Sequence, residues 1–324
     1  MHNYLHRFAH LHTATSRVHW TAATTYRAPN KPLLLLAVLD LCAQGSLTTN
    51  LVPLTPELGE LFAGYWARVM PADRHGNLAM PFFHLRHDGF WHLVPAPGQE
   101  TALAALTTAT SVSQLRTLLL GARLDDELYD LMRIEATRDQ LRTVLIQTYF
   151  APELRPSLLE QGLTHLETFR YSQELLASAH SQPLRETADI AAHYRPGARD
   201  QGFRRVVVTA YDHRCALCGI RLLTDDGHTA VDAAHIVPWS LSHNDDPRNG
   251  MALCRLCHWT FDEGLVGVSP HYLVLLTPQL AHQPNVPGHL ATLAGRGILG
   301  PAARDLWPDH DALAWHRQEV LRAR

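Results

Sequence analysis

The run from Lys31 to Cys42 (KPLLLLAVLDLC) is apolar at nearly every position and carries Pro32 where a first helical turn would lie, a place at which a missing N–H costs nothing. It predicts a buried helix. Between residues 78 and 94 apolar and polar positions nearly alternate around Asp88-Gly89, which predicts two short strands joined by a tight turn. Residues 101–150 return to helical spacing through Leu115, Leu118 and Leu119, then Leu128, Leu131 and Met132, then Leu141, Val144 and Leu145, with Gly121 as a break. Another helical stretch past Pro152 and Pro156 carries Leu158, Leu159 and Leu163 before the chain turns polar. That polar stretch places a linker at 178–200, between a domain at 1–177 and a second at 201–324. In the second domain Val206, Val207 and Ala210 share a helical register, and VDAAHIVPW reads as a strand ended by Pro238. ALCRLCHWTFDEG reads as a helix stopped by Gly264, HYLVLLTP as a strand and DALAWHRQEVLRA as a final helix.

A length of 324 residues suits two cores, and the 46% hydrophobic and 18% charged shares exclude disorder or coiled coil for the chain as a whole. No apolar run approaches the roughly 20 residues of a membrane-spanning helix. The opening MHNYLHRFAHLH builds no signal-peptide core, so a cytoplasmic location and no membrane partner are expected. A net charge of -3 excludes a uniformly basic surface but permits a local positive groove. With 22 histidines in the chain, only those held by a motif merit a role.

Four of the five cysteines fall in two pairs, Cys215-x2-Cys218 and Cys254-x2-Cys257, with 35 residues between the pairs. Two such turns brought together make the four-sulfur cage of a structural Zn²⁺, closed to substrate and devoted to holding the fold. The alternative of four unligated core thiols requires two such pairs by chance.

Around these pairs the string YDHRCALCGIRL…VDAAHIVPWS…DDPRNGMALCRLCHWTFDEG resembles the HNH nuclease motif, a ββα-metal module in its zinc-cysteine form, over about sixty residues. The resemblance implies a DNA endonuclease. His235 would be the general base that takes a proton from water, Asn249 an orienting amide for that imidazole or its loop, and His258 a ligand for a catalytic Mg²⁺ or Mn²⁺. Many family members carry an acidic or histidine ligand just before the general base, and here that position is Ala234. Asp232, three residues from His235 on a strand, points to the opposite face, while Asp262 lies one helical turn past His258. Singly, His235 could be a satisfied core histidine, Asn249 a turn residue and Asp262 a packing residue of the FD turn.

The N-terminal half resembles the sulfur-binding domain of type IV restriction endonucleases that cut phosphorothioate-modified DNA, through YRAPNKPLLLLAVLD (26–40) and MPFFHLRHDGFWHL (80–93). Sulfur in place of a phosphate oxygen is larger, softer and poorly hydrated, so its reader should offer a shallow apolar cup on a basic surface. Met80, Pro81 and Phe82, or Tyr26 and Pro29, could form the cup, and Arg27, Lys31 and Arg86 could clamp phosphates or base edges. Core packing competes for Met80, Pro81 and Phe82, and a solvated loop for Arg27 and Lys31. The expected whole is α+β: a mainly helical DNA-reading domain with a short hairpin, then a ββα-metal domain with structural zinc. Its partner is double-stranded, phosphorothioate-modified DNA, and the sequence leaves open whether one chain cuts one strand or a homodimer cuts both. Two other functions compete: an HNH endonuclease that reads another DNA modification, and a zinc-stabilised DNA-binding protein whose catalytic centre no longer works.

Overall fold

A computed structural model describes residues 1–109, 111–181, 187–224, 227–282 and 288–322. The chain divides into two compact units, Met1–Leu166 with Thr224–His228, and Glu167–Leu223 with Thr229–Arg324. The division falls inside the helix Arg155–His180. Within 178–200 lie the end of that helix, the single turn Ala188–Ala191 and the start of the helix Pro196–Ala210, while 182–186 are outside the described residues. No helix among the described residues is long and apolar enough to cross a membrane.

The first unit is built around the helix Asn30–Ala43, in which every residue from Lys31 to Cys42 is buried. A helix apolar all round must be surrounded, and it packs against Pro56–Val69, Ala79–His84, Asp126–Arg133 and Glu135–Tyr149. Its one acid, Asp40, is neutralised in the core by Arg142 at 2.8 Å and His165 at 2.7 Å.

Two sequence expectations fail here, one for a local cap and one for a distant strand partner. The hairpin about Asp88-Gly89 is absent: residues 79–84 form a helix and 85–88 a 3₁₀ turn closed by Gly89 at φ 78°. The side chain of Asn77 accepts hydrogen bonds from the Ala79 and Met80 amides, so it caps the helix start that the alternating pattern conceals. The strand Trp91–Pro95 instead pairs antiparallel with Leu119–Leu124, a segment whose spacing had suggested helix. Gly121 lies within that strand and does not break a helix. A Cβ there would stand 2.5 Å from the carbonyl oxygen of Val52, so only glycine admits the close backbone approach.

In the second unit the helix Pro196–Ala210 packs on the antiparallel pair Val231–His235 and Gly250–Cys254, followed directly by the helix Arg255–Asp262. A hairpin, Val266–Val268 with Val274–Leu276, and the final helix His310–Glu319 complete the core. His316 lies face to face with Phe261, ring centroids 3.6 Å apart, and its Nε2 donates to the Phe261 carbonyl at 3.0 Å. Burial pushes its pKa down from 6.5 to about 4. The unfolded chain therefore binds a proton that the folded chain refuses, and stability present above pH 6.5 is lost as pH falls toward 4, by on the order of 3 kcal/mol. His316→Gln keeps the donor to Phe261 and removes the titration. Its denaturation curves should vary less with pH in this window than those of the wild type, and equal slopes would exclude His316 as the cause.

Candidate active site and DNA-reading cleft

The first cysteine pair sits on a turn after the helix Pro196–Ala210, in which the Cys215 amide donates to Ile220 and Gly219, at φ 79°, donates back to Cys215. Ala216 donates to Ala252 at 2.8 Å, stitching this turn to the strand Gly250–Cys254. The second pair spans the junction of that strand with the next helix, Cys254 being its N-cap. All four Sγ atoms lie within 4.8 Å of one another, and Cys218 and Cys254 are 3.7 Å apart. A tetrahedral site with zinc–sulfur bonds of about 2.3 Å has sulfur–sulfur edges of about 3.8 Å, so the cluster has the size zinc requires. Hydrogen bonds from Cys254 and Cys257 hold Cys215 down at about 2, burial pushes Cys218 up to about 12, and the bond to Cys215 pushes Cys257 up. One thiolate is stable among its neighbours, whereas a bound dication would stabilise all four.

His235 ends the first strand, opposite Gly250. Its ring lies flat on Phe203, centroids 3.9 Å apart at 9°, and a Cβ on Gly250 would come within 2.8 Å of the same phenyl ring. The glycine after Asn249 thus serves packing at a strand start, since residues 247–249 form a 3₁₀ turn capped by Asp246. Nε2 of His235 is 2.7 Å from Oδ1 of Asp245, whose side chain is 3% exposed. An acceptor at Nε2 keeps the ring proton there and leaves Nδ1 with a free lone pair. Asp245 is itself held: Tyr171 donates to Oδ2 at 2.7 Å, Arg199 approaches the same oxygen at 3.7 Å, and its backbone amide donates to Thr187. Burial, with Asp245 beside it, pushes the Tyr171 hydroxyl well up, so it remains a donor.

Asn249, 1% exposed, clamps the backbone that follows the histidine. Its Oδ1 accepts from the Val237 amide at 2.9 Å, and its Nδ2 donates to the carbonyls of Val237 and Asn244, each at 3.0 Å. The amide therefore orients the loop, with no bond to the imidazole itself. His258 lies in the first turn of the helix Arg255–Asp262, and its Nε2 is 3.4 Å from Oδ2 of Asp262. Burial raises the pKa of Asp262. This imidazole and carboxylate are the donors available to a divalent ion on the helix. Asp232 is engaged elsewhere, by Arg204 at 3.0 Å, as its position on the strand required. Sequence reasoning missed Asp245, Tyr171, Arg199 and Phe203. The four-residue spacing of Arg199 and Phe203 on one helix was the only available signal.

In the first unit a cleft of about 650 Å³ is lined by His12, Ala14, Trp20, Ala28, Met80, Pro81 and their neighbours, among them Lys31, His84 and His87. Lys31, Met80 and Pro81 are thus brought together. Phe82 is not: it is fully buried edge-on against Trp91, because the helix turns it inward. Pro29 is buried at the start of the helix Asn30–Ala43. Tyr26, Arg27 and Arg86 do not line the cleft, and Arg86 is spent on the Phe83 ring at 3.8 Å and the Leu106 carbonyl. Lys31 is 2.6 Å from Asp88, which also accepts from the His12 amide, so its charge is compensated internally. Burial, reinforced by Lys31, lowers the pKa of His84 and keeps it neutral at pH 7. The cleft floor is consequently apolar and close to neutral.

Residues 215–269 match the family described as HNH endonuclease, and residues 7–166 the family described as ScoMcrA-like, DNA sulfur-binding domain. No curated protein matches the chain. Among solved structures, one titled modification dependent TagI restriction endonuclease is 24% identical, with a TM-score of 0.28 over 36% of this chain and 37% of that one. The match thus spans little more than a third of either protein.

Proposed function

We propose that this chain, with a DNA sulfur-binding domain at 7–166 and an HNH endonuclease domain at 215–269, is a modification-dependent (type IV) restriction endonuclease. It binds phosphorothioated double-stranded DNA and hydrolyses a phosphodiester bond in it. The presence of both domains in one polypeptide carries this reading. The cleft at Met80 and Pro81 supports it, since an apolar, nearly neutral floor favours a poorly hydrated sulfur over a phosphate oxygen that needs donors. Phosphates flanking the sulfur would fall to basic residues outside the cleft, for which Arg27 is a candidate.

At the second site His235 accepts the proton of the attacking water at Nδ1, while Asp245 at Nε2 stabilises the imidazolium that forms. Asn249 holds residues 237 and 244 so that the ring has one orientation. His258 and Asp262, completed by water and phosphate oxygens, would hold Mg²⁺ or Mn²⁺, which supplies charge stabilisation for the phosphorus oxygens and the departing sugar oxygen. Cys215, Cys218, Cys254 and Cys257 would hold a zinc ion, which would anchor Cys257 and, through it, the backbone of His258. The absence of a carboxylate at position 234 leaves the His258–Asp262 pair as the main protein ligand set. The test is cleavage of otherwise identical plain, methylated and phosphorothioated duplexes with Mg²⁺, with Mn²⁺ and with chelator. Cutting confined to the phosphorothioated duplex and dependent on the added metal is expected. Cutting of the methylated duplex alone would overturn the substrate assignment, and cutting in chelator the metal requirement.

A further inference from the structure

The helix Arg255–Asp262 buries Cys257, Thr260 and Phe261 and turns Arg255, Leu256, Trp259 and Asp262 outward. Two of the outward residues are large and apolar: Trp259 is 57% exposed and Leu256 41%. Leu256 and Trp259, three positions apart, lie side by side on a helix, and His258 lies at the edge of the same exposed arc, one residue from the indole. The helix cannot turn this arc inward, since Cys257 belongs to the thiol cluster and Phe261 is stacked on His316. Trp239 is covered by Arg199, Trp307 by Arg304 and Tyr272, and Trp66 and Trp91 by phenylalanines. Among the described residues no ring or guanidinium stacks on Trp259; the same holds for Trp20 and Trp315, but those two are partly buried while Trp259 is exposed.

We infer that Trp259 and Leu256 form an apolar wedge that inserts against the base edges and sugars of the duplex beside the scissile phosphate. The inference rests on the endonuclease reading, which puts the scissile phosphate at His258, and the exposed indole of Trp259 adjoins His258 on the outer surface of the same helix. Arg255 on the same face supplies the charge that a phosphate flanking such a wedge requires. Apolar side chains pushed into a base step partly unstack and bend the duplex, which brings more backbone onto the protein. Trp259 here is a positioning residue that shapes the substrate; it takes no part in proton transfer.

The experiment compares the zinc-loaded full-length chain with Trp259→Ala and Trp259→Phe on three substrates in Mg²⁺ or Mn²⁺. These are an intact phosphorothioated duplex, the same duplex with a mismatch at the cut site that makes unstacking easy, and bis(p-nitrophenyl) phosphate, which has no helix to deform. Trp259→Ala should lower cutting of the intact duplex by about tenfold or more and of the mismatched duplex by less than about threefold. Hydrolysis of the small ester should be unchanged, and Trp259→Phe should recover most of the loss. Intact-duplex cutting at the wild-type rate overturns the wedge, and so does an equal loss on all three substrates, which marks a structural role. A fall in oligomeric mass accompanying the loss assigns the patch to a second copy of the chain and overturns it too. A wild-type chain that hydrolyses the small ester but cuts no duplex overturns the substrate reading together with the wedge, whereas wild-type cutting that ignores Trp259→Ala overturns the wedge alone.

Discussion

His235→Ala is expected to lower the rate of DNA cleavage by about a thousandfold or more while leaving DNA affinity unchanged. A positioned general base contributes roughly 10² to 10⁴ in rate, and the contacts of His235 are with Phe203 and Asp245 inside its own unit. The neighbouring Asp245 sharpens the test. Its carboxylate is buried, held by Tyr171 and aimed at Nε2, so Asp245→Ala should cost about tenfold to a hundredfold in kcat with little change in KM, through loss of ring orientation. Asp245→Asn, which retains an acceptor oxygen, should keep more activity than the alanine variant. Wild-type cutting by His235→Ala would remove this residue from the proton-transfer step.

Keeping zinc from the four-cysteine cluster, which has the size to hold it, should have the largest structural effect. Zinc binding to cysteine sites of this kind is worth about 10–16 kcal/mol in peptides, which matches or exceeds the roughly 5–15 kcal/mol that stabilises an ordinary domain. Stripping zinc, or replacing Cys257 by serine, is therefore expected to unfold the region around the two strands and the helix Arg255–Asp262. Proteolysis should then begin within residues 201–324, and cutting should be lost with the fold. The first unit has its own core about the helix Asn30–Ala43 and should retain its protease resistance. Purified chain with no stoichiometric zinc, equally stable and active, would contradict the role given to the cluster.

The parts legible in the sequence were those specified by short-range pattern. Two CxxC pairs, an apolar strand ending before Pro238 and the uninterrupted apolar helix at 31–42 each declare themselves within a dozen residues. Most of what escaped was decided by partners distant in the chain. Leu119–Leu124 is a strand because Trp91–Pro95 and Val52 lie beside it, and its leucines carry no local sign of that. Residues 79–84 are helical because Asn77 caps them and their apolar face is buried, which places Phe82 in the core and leaves Met80 and Pro81 at the cleft. Asp245 has no local mark that sets it apart from the other loop acids. Its role appears only when Tyr171 and Arg199, on two separate helices, converge on its carboxylate.

The proposed function depends on the first unit distinguishing sulfur from oxygen in DNA. It is tested most directly by the affinity of the His235→Ala chain, in which cutting should be slowed about a thousandfold, for two duplexes identical except for one non-bridging sulfur. Binding at least about tenfold tighter to the sulfur-bearing duplex is predicted, a difference of about 1.4 kcal/mol assignable to one buried atom. Equal affinity for the two duplexes would contradict it.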